Sequence, residues 1–160
     1  RDVAPSRGLG DVYKRQLYAS KICAYAQGFN LLEEAGKVYG WDLQMGRIAK
    51  IWRSGCIIRA RFLDTVSEIF EKENGMTNLL ASGYFSQVLY GARAGWGRII
   101  SLAVERGAAV PALSSALAYF DSYRTARGSA NLLQAQRDCF GAHTYERIDK
   151  EGAFHTDWMN

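Results

Sequence analysis

Apolar residues recur along most of this chain at the three- and four-residue spacing of an amphipathic helix. The first run keeps one apolar stripe at positions i, i+4, i+7, i+11 and i+14: Tyr18, Ile22, Tyr25, Phe29 and Leu32. A stripe of this kind predicts a long helix with one face packed on a core. A glycine at 36 or 40 is placed to end it.

Further runs with the helical period cover residues 46–52, 58–69, 85–103, 113–120 and 131–140. Residues that favour helix ends stand between them. Ser54 and Ser82 precede the third and fourth runs as N-cap candidates, Gly107 follows the fourth, and Pro111 precedes the fifth. No strand-like alternation of useful length occurs, which excludes a Rossmann sheet within these residues. The predicted fold class is all-α.

The first sixteen residues, RDVAPSRGLGDVYKRQ, lack this periodicity and mix glycine, proline and charge, which predicts disorder. Asp11–Gln16, DVYKRQ, matches the translation of a transposon-end adapter used in sequencing libraries. We therefore expect residues 1–16 to be a non-native leader. The protein proper would begin near Leu17, truncated upstream, with a helical domain over residues 17–144.

Residues 145–160 form a tail with no helical period and two large aromatics, Phe154 and Trp158. Apolar groups that a helical domain leaves uncovered indicate a partner surface. We expect a homodimer in which the extended tails of the two subunits reach across to each other. The alternative is a frayed terminus, since chain ends are commonly disordered.

Bulk composition narrows the function classes. A chain of 160 residues with 48% hydrophobic and 22% charged residues can bury one core. The net charge is +4, of which the first sixteen residues supply +2, and no basic stripe with interleaved aromatics follows, so nucleic-acid binding is disfavoured. No membrane span or signal peptide is visible, and three cysteines without a CxxC pair fit a cytoplasmic protein.

Common catalytic and cofactor motifs do not occur: there is no GxGxxG, Walker loop, HExxH or GxSxG. The glycine-rich stretch GARAGWG, residues 91–97, falls inside a helical run, which favours helix packing over a phosphate cradle at a helix N-terminus. We assign no catalytic, cofactor-binding or metal-ligating residue to this chain.

One stretch near the C-terminus carries candidate binding chemistry. In QAQRDCFGAHTYE, residues 134–146, Arg137 precedes His143 by six residues, with Gly141 between them. A guanidinium and an imidazole placed on one turn suit an anionic, hydroxyl-rich ligand. Spacing alone favours a solvent-exposed helix end instead, because Arg and His are common near helix C-termini.

Five blocks of this chain resemble, in order and spacing, the C-terminal all-helical domain of the decarboxylating 6-phosphogluconate dehydrogenase family. They are LYASKICAYAQGF (17–29), IWRSGCIIRARFL (51–63), ALAYFDSYR (116–124), QAQRDCFGAHTYE (134–146) and FHTDW (154–158). The resemblance covers the chain from about Leu17 to its end. It departs from the family at Cys139, where an aromatic residue is frequent.

The resemblance implies an enzyme that oxidises 6-phosphogluconate with NADP, or NAD in some members, releasing carbon dioxide and leaving ribulose 5-phosphate. It implies that Arg137 and His143 reach the substrate in the active site of the neighbouring subunit of a homodimer. The family's cofactor loop, its catalytic lysine and glutamate, and its KGTGxW segment do not occur in these residues. We therefore predict that the chain alone is inactive. The alternative is a stand-alone helical dimerisation or interaction module without catalysis.

Overall fold

The structure, a computed structural model, describes residues 9–73 and 75–159. Over these residues it is helical with a small hairpin near the end, and the all-α prediction is confirmed. The elements are α1 Leu9–Tyr39, α2 Met45–Gly55, α3 Phe62–Lys72, a 3₁₀ turn Leu79–Ala81, α4 Gly83–Glu105, α5 Pro111–Tyr123, α6 Ala130–Gly141, β1 Tyr145–Glu146 and β2 Ala153–Phe154. The chain divides into two compact units, one up to Phe120 and one from Asp121.

The helix ends fall where the sequence places capping and breaking residues. Gly40, with φ of 69°, follows α1, and Gly107, with φ of 65°, follows α4. The Ser82 hydroxyl accepts a hydrogen bond from the Phe85 amide at 3.3 Å and caps α4. Pro111 is the first residue of α5, where its missing N–H costs nothing. These predicted boundaries are confirmed.

The start of α1 differs from the prediction. The helix begins at Leu9, so the expected disorder is wrong for residues 9–16, while residues 1–8 lie outside the described part. Gln16 is only 2% exposed, and its side-chain amide donates to the Ala92 carbonyl of α4 at 3.2 Å. Gln16 lies three residues before the buried Ala19, on the same helix face. Extending an existing helix costs little once that face is packed. The adapter origin of the leader stays a prediction.

The start of α3 is also later than predicted. Ser54 lies inside α2 and caps nothing, and α3 begins at Phe62 without a side-chain cap. Ile58 lies in the intervening turn with 45% of its surface exposed. The Tyr25 hydroxyl donates to the Ile58 carbonyl, which holds that turn against α1. A tertiary hydrogen bond to the backbone therefore replaces the expected first turn of α3.

The unit up to Phe120 has a continuous apolar core drawn from α1 to α5. Its largest fully buried side chains include Trp96, Phe29 and Phe85. The indole of Trp96 donates to the Leu113 carbonyl at 3.1 Å and so ties α4 to α5. The stretch GARAGWG lies inside α4, away from a helix N-terminus, which excludes the phosphate-cradle alternative for it.

The unit from Asp121 contains α6 and the hairpin. In the hairpin Tyr145 pairs with Phe154 and Glu146 with Ala153 in antiparallel register. The one buried side chain among the described residues of this unit is polar, that of Asp138. Large apolar side chains here are instead exposed: Leu132, Leu133, Phe140, Ile148, Trp158 and Met159.

Candidate functional site

Arg137 lies in the C-terminal part of α6 with its side chain in solvent. One guanidinium N–H bonds to the Gln134 side-chain oxygen at 3.3 Å, one helical turn earlier. No carboxylate among the described residues forms an ion pair with it. A guanidinium carries five N–H donors, so the side chain retains most of its capacity to bind an anion.

His143 is held in a tight turn that follows α6. Ala142 and Thr144, on either side of it, both have left-handed backbones, with φ of 48° and 61°. The imidazole folds back over Gly141: a Cβ at that position would lie 2.6 Å from His143 Nε2. Gly141 is therefore required for the close approach of the ring. The Phe140 ring contacts His143 edge to face at 6.1 Å between centroids.

The turn places Arg137 and His143 on one groove. This groove has a volume of about 400 Å³ and is lined by both predicted residues together with Gln134, Thr144, Tyr145, Glu146 and Ala153. Among the other polar residues of the stretch 134–146, Tyr145 lines the groove and Gln136 does not. The guanidinium and the imidazole can therefore contact the same ligand. Their spacing in the sequence alone could not show this.

A somewhat larger groove of about 490 Å³ lies on the other unit, lined in part by Glu33, Glu71, Glu73 and Arg47. Three carboxylates against one guanidinium would repel an anionic ligand. The charge of the lining residues therefore favours the groove at Arg137 and His143 as the site for a phosphorylated ligand.

Asp138, the neighbour of Arg137, is the central residue of this unit. Its carboxylate is fully buried and accepts four hydrogen bonds: Oδ1 from the Thr144 amide at 3.0 Å and His155 Nδ1 at 2.9 Å, and Oδ2 from the Thr156 amide at 2.9 Å and Trp158 Nε1 at 2.8 Å. An ionised carboxylate only accepts hydrogen bonds, so His155 Nδ1 carries the proton in this contact. We call these five residues the Asp138 clasp.

Burial acts to raise the pKa of Asp138, but the four donors outweigh it and hold that pKa well below its ordinary value of 3.8. The carboxylate is therefore ionised at neutral pH. No specific role for Asp138 follows from its position in the sequence. The sequence offers one indication of this contact: an aspartate near a helix end and, later in the chain, the segment FHTDW, which contains several hydrogen-bond donors. FHTDW has no helical or strand periodicity that would predict where it packs.

Comparison with known proteins now decides the family. The model of the family "6-phosphogluconate dehydrogenase, C-terminal domain" matches residues 6–158. The chain belongs to the 6-phosphogluconate dehydrogenase family. The match includes α6, the turn with His143 and the Asp138 clasp, so the candidate groove lies within the family's C-terminal domain.

Individual members of the 6-phosphogluconate dehydrogenase family support the same assignment. The NADP(+)-dependent, decarboxylating 6-phosphogluconate dehydrogenase of Bacillus subtilis is 54% identical over 94% of this chain and 32% of its own length. The decarboxylating enzyme 1 of Spinacia oleracea is 49% identical over 98% of this chain and 32% of its own length. The chain spans about a third of the curated relatives it matches.

A solved 6-phosphogluconate dehydrogenase shares the fold. The Plasmodium falciparum enzyme, described in apo form and in complexes with its cofactor NADP+ and its substrate 6-phosphogluconate, superposes with a TM-score of 0.87 at 38% identity. That match covers 98% of this chain and 34% of the solved chain. It confirms the predicted fold, a 6-phosphogluconate dehydrogenase C-terminal helical domain.

The described residues also bear on membrane spanning and on metal binding. No helix among them is long and apolar enough to cross a membrane. In the same part of the chain, no group of three or more His, Cys, Asp or Glu side chains is arranged to hold a metal ion. Cys23, Cys56 and Cys139 are all free thiols.

Proposed function

We propose that this chain provides the helical domain of a cytoplasmic, decarboxylating 6-phosphogluconate dehydrogenase and part of its substrate site. The intact enzyme would convert 6-phosphogluconate and NADP to ribulose 5-phosphate, carbon dioxide and NADPH. The observation that carries the proposal is the groove that Arg137 and His143 share on a chain of this family.

The two side chains suit the two ends of such a ligand. Arg137 can give paired N–H donors to phosphate oxygens, and its charge offsets theirs. His143 can hydrogen-bond a phosphate oxygen or a sugar hydroxyl from a ring whose position Gly141 permits. Neither side chain is assigned a proton transfer or a bond-making role, so both bind and orient the substrate.

NADP, when bound, accepts the hydride from the substrate. The sequence of 160 residues contains no glycine-rich dinucleotide-binding motif. The cofactor is therefore not assigned to any residue of this chain. We expect the chain alone to form no NADPH from 6-phosphogluconate, and measurable NADPH formation by the purified chain would contradict this.

The homodimer is part of the same proposal. Leu132, Leu133 and Phe140 expose 70%, 56% and 71% of their surfaces on α6, which is more apolar surface than one short helix ordinarily leaves in water. A second subunit that covers this helix and tail would bury them. The proposed site is then shared: Arg137 and His143 of one subunit complete the active site of the other.

A chimera tests the proposal. Residues 17–158, without the leader that we expect to be non-native, would replace the matching part of the Bacillus subtilis relative, and NADPH formation would be followed with 6-phosphogluconate as substrate. We expect a dimer with activity within about tenfold of the parent enzyme, since the interface and the site are both retained. A folded, dimeric chimera without activity would contradict the proposal and would favour a non-catalytic dimerisation module.

A further inference from the structure

The Asp138 carboxylate is unusual in its position and in what it holds. It is 0% exposed in a unit that otherwise buries no side chain among its described residues. Its four donors come from two segments: Thr144 just after α6, and residues 155–158 of the tail. One buried charge therefore links the turn, the tail and the helix.

Asp138 also accepts hydrogen bonds from the backbone amides of both residues that flank His143. The Asp138 carbonyl accepts from the Ala142 amide at 2.9 Å, and the Asp138 carboxylate accepts from the Thr144 amide at 3.0 Å. Ala142 and Thr144 are both in the left-handed region, which non-glycine residues adopt only when other contacts compensate. The two hydrogen bonds to Asp138 are those contacts, and His143 lies between them.

The same carboxylate closes the hairpin that borders the groove. Thr144 precedes β1 and His155 follows β2, and both donate to Oδ1. Next to them, the Tyr145 and Thr156 hydroxyls share a hydrogen bond at 2.6 Å. A two-residue ladder is too short to be stable in water by itself. The clasp therefore fixes the hairpin that brings Tyr145, Glu146 and Ala153 to the groove.

We propose that Asp138 is a positioning residue of the substrate site: its carboxylate holds the left-handed turn that sets His143 against Arg137 and holds the hairpin that forms the groove wall. This rests on the proposed function of Arg137 and His143. Asp138 does not itself line the groove, so it acts through its neighbours.

The carboxylate is needed because all four partners are donors. In Asp138→Asn one oxygen becomes an NH₂ group of the same shape, and the one partner that could accept from it is His155, if its ring changes tautomer. At least one N–H donor therefore loses its acceptor, and all four lose the negative charge. Asp149→Asn is the matched control, since Asp149 is in the exposed part of the same tail and forms an ion pair with Arg147 at 2.5 Å.

The first test follows hydrogen exchange by NMR in the full 160-residue chain. In Asp138→Asn we expect the Thr144 and Thr156 amides and the Trp158 indole N–H to exchange at least about tenfold faster. Asp149→Asn should leave them unchanged. Unchanged exchange in Asp138→Asn would overturn the proposal.

A measurement on the unaltered chain makes the test independent of how well the variant folds. Scalar couplings across hydrogen bonds, from the Thr144 and Thr156 amide nitrogens to the Asp138 carboxyl carbon, report the clasp directly. We expect both couplings at neutral pH. Their absence, with the amides resolved, would overturn the proposal.

The second test uses the chimera and separates positioning from general stability. Asp138→Asn should raise the KM for 6-phosphogluconate about tenfold or more and leave the KM for NADP unchanged, while Asp149→Asn changes neither. If Arg137→Ala raises the substrate KM and Asp138→Asn does not, the positioning role is wrong. If neither Arg137→Ala nor His143→Ala raises the substrate KM, the proposed function is wrong instead. The hydrogen-exchange data then still show whether the Asp138 carboxylate holds the turn and the tail.

Discussion

The two units of this chain are stabilised by different means. The unit up to Phe120 buries a continuous apolar core that contains Trp96, Phe29 and Phe85. The unit from Asp121 leaves most of its large apolar side chains exposed and instead buries one carboxylate with four donors. Apolar burial is non-directional, whereas hydrogen bonds to a charge fix orientation. The unit that carries the candidate site is therefore the one whose geometry is set by directional contacts.

The largest expected effect is on the apolar unit. Trp96→Ala removes a fully buried indole and its hydrogen bond to Leu113, which should lower the free energy of unfolding by about 3 to 5 kcal/mol. Trp41→Ala is the matched control, because Trp41 is 54% exposed and stacks only on Tyr39, so less than about 1.5 kcal/mol is expected. Urea denaturation followed by circular dichroism measures both. Equal losses in the two variants would contradict the assignment of the core.

This core illustrates what the sequence could predict. The helical period and the end residues Gly40, Ser82, Gly107 and Pro111 locate most helices, because each acts within a few residues along the chain. The starts of α1 and α3 were predicted wrongly because contacts distant in sequence decide them. Gln16 packs on Ala92, 76 residues away, and Tyr25 bonds to Ile58, 33 residues away.

The candidate site was predicted only in part for the same reason. Arg137 and His143 were identified, but their shared groove depends on left-handed residues at 142 and 144 that no glycine marks. Asp138 had no specific predicted role because its donors His155, Thr156 and Trp158 lie 17 to 20 residues away. Hydrogen bonds between residues so far apart in the chain produce no periodic pattern in the sequence.

Strong acid is expected to weaken the Asp138 clasp of the second unit. The folded pKa of Asp138 lies below the ordinary value of 3.8, so ionisation of this carboxylate stabilises the clasp fully above about pH 4. That stabilisation should decline as the pH falls below 3.8 and be lost once it passes the folded pKa. The NMR shift of the Trp158 indole N–H, followed from pH 6 downwards, measures this. Loss of the Trp158 shift above pH 5 would contradict the account, and Asp138→Asn should show no such transition.

The smallest expected effect on stability comes from Gly141→Ala. The new Cβ meets the far end of the His143 side chain, which can rotate away, and alanine favours a helix more than glycine by roughly 0.5 to 1 kcal/mol. Thermal stability should therefore hold or rise slightly, while the displaced imidazole raises the KM for 6-phosphogluconate several-fold in the chimera. A loss of thermal stability with an unchanged KM would contradict this prediction, because Gly141 would then be needed for the fold and not for substrate binding.

The substrate KM of the Arg137→Ala chimera tests the central claim most directly, with Arg147→Ala as its control. Arg147 is an arginine of the same unit that pairs with Asp149 outside the groove. We expect Arg137→Ala to weaken 6-phosphogluconate binding by about 2 to 5 kcal/mol, a rise in KM of roughly thirtyfold or more, and Arg147→Ala to change it less than about twofold. An unchanged KM in Arg137→Ala, or an equal rise in both variants, would contradict the claim that this groove binds the substrate.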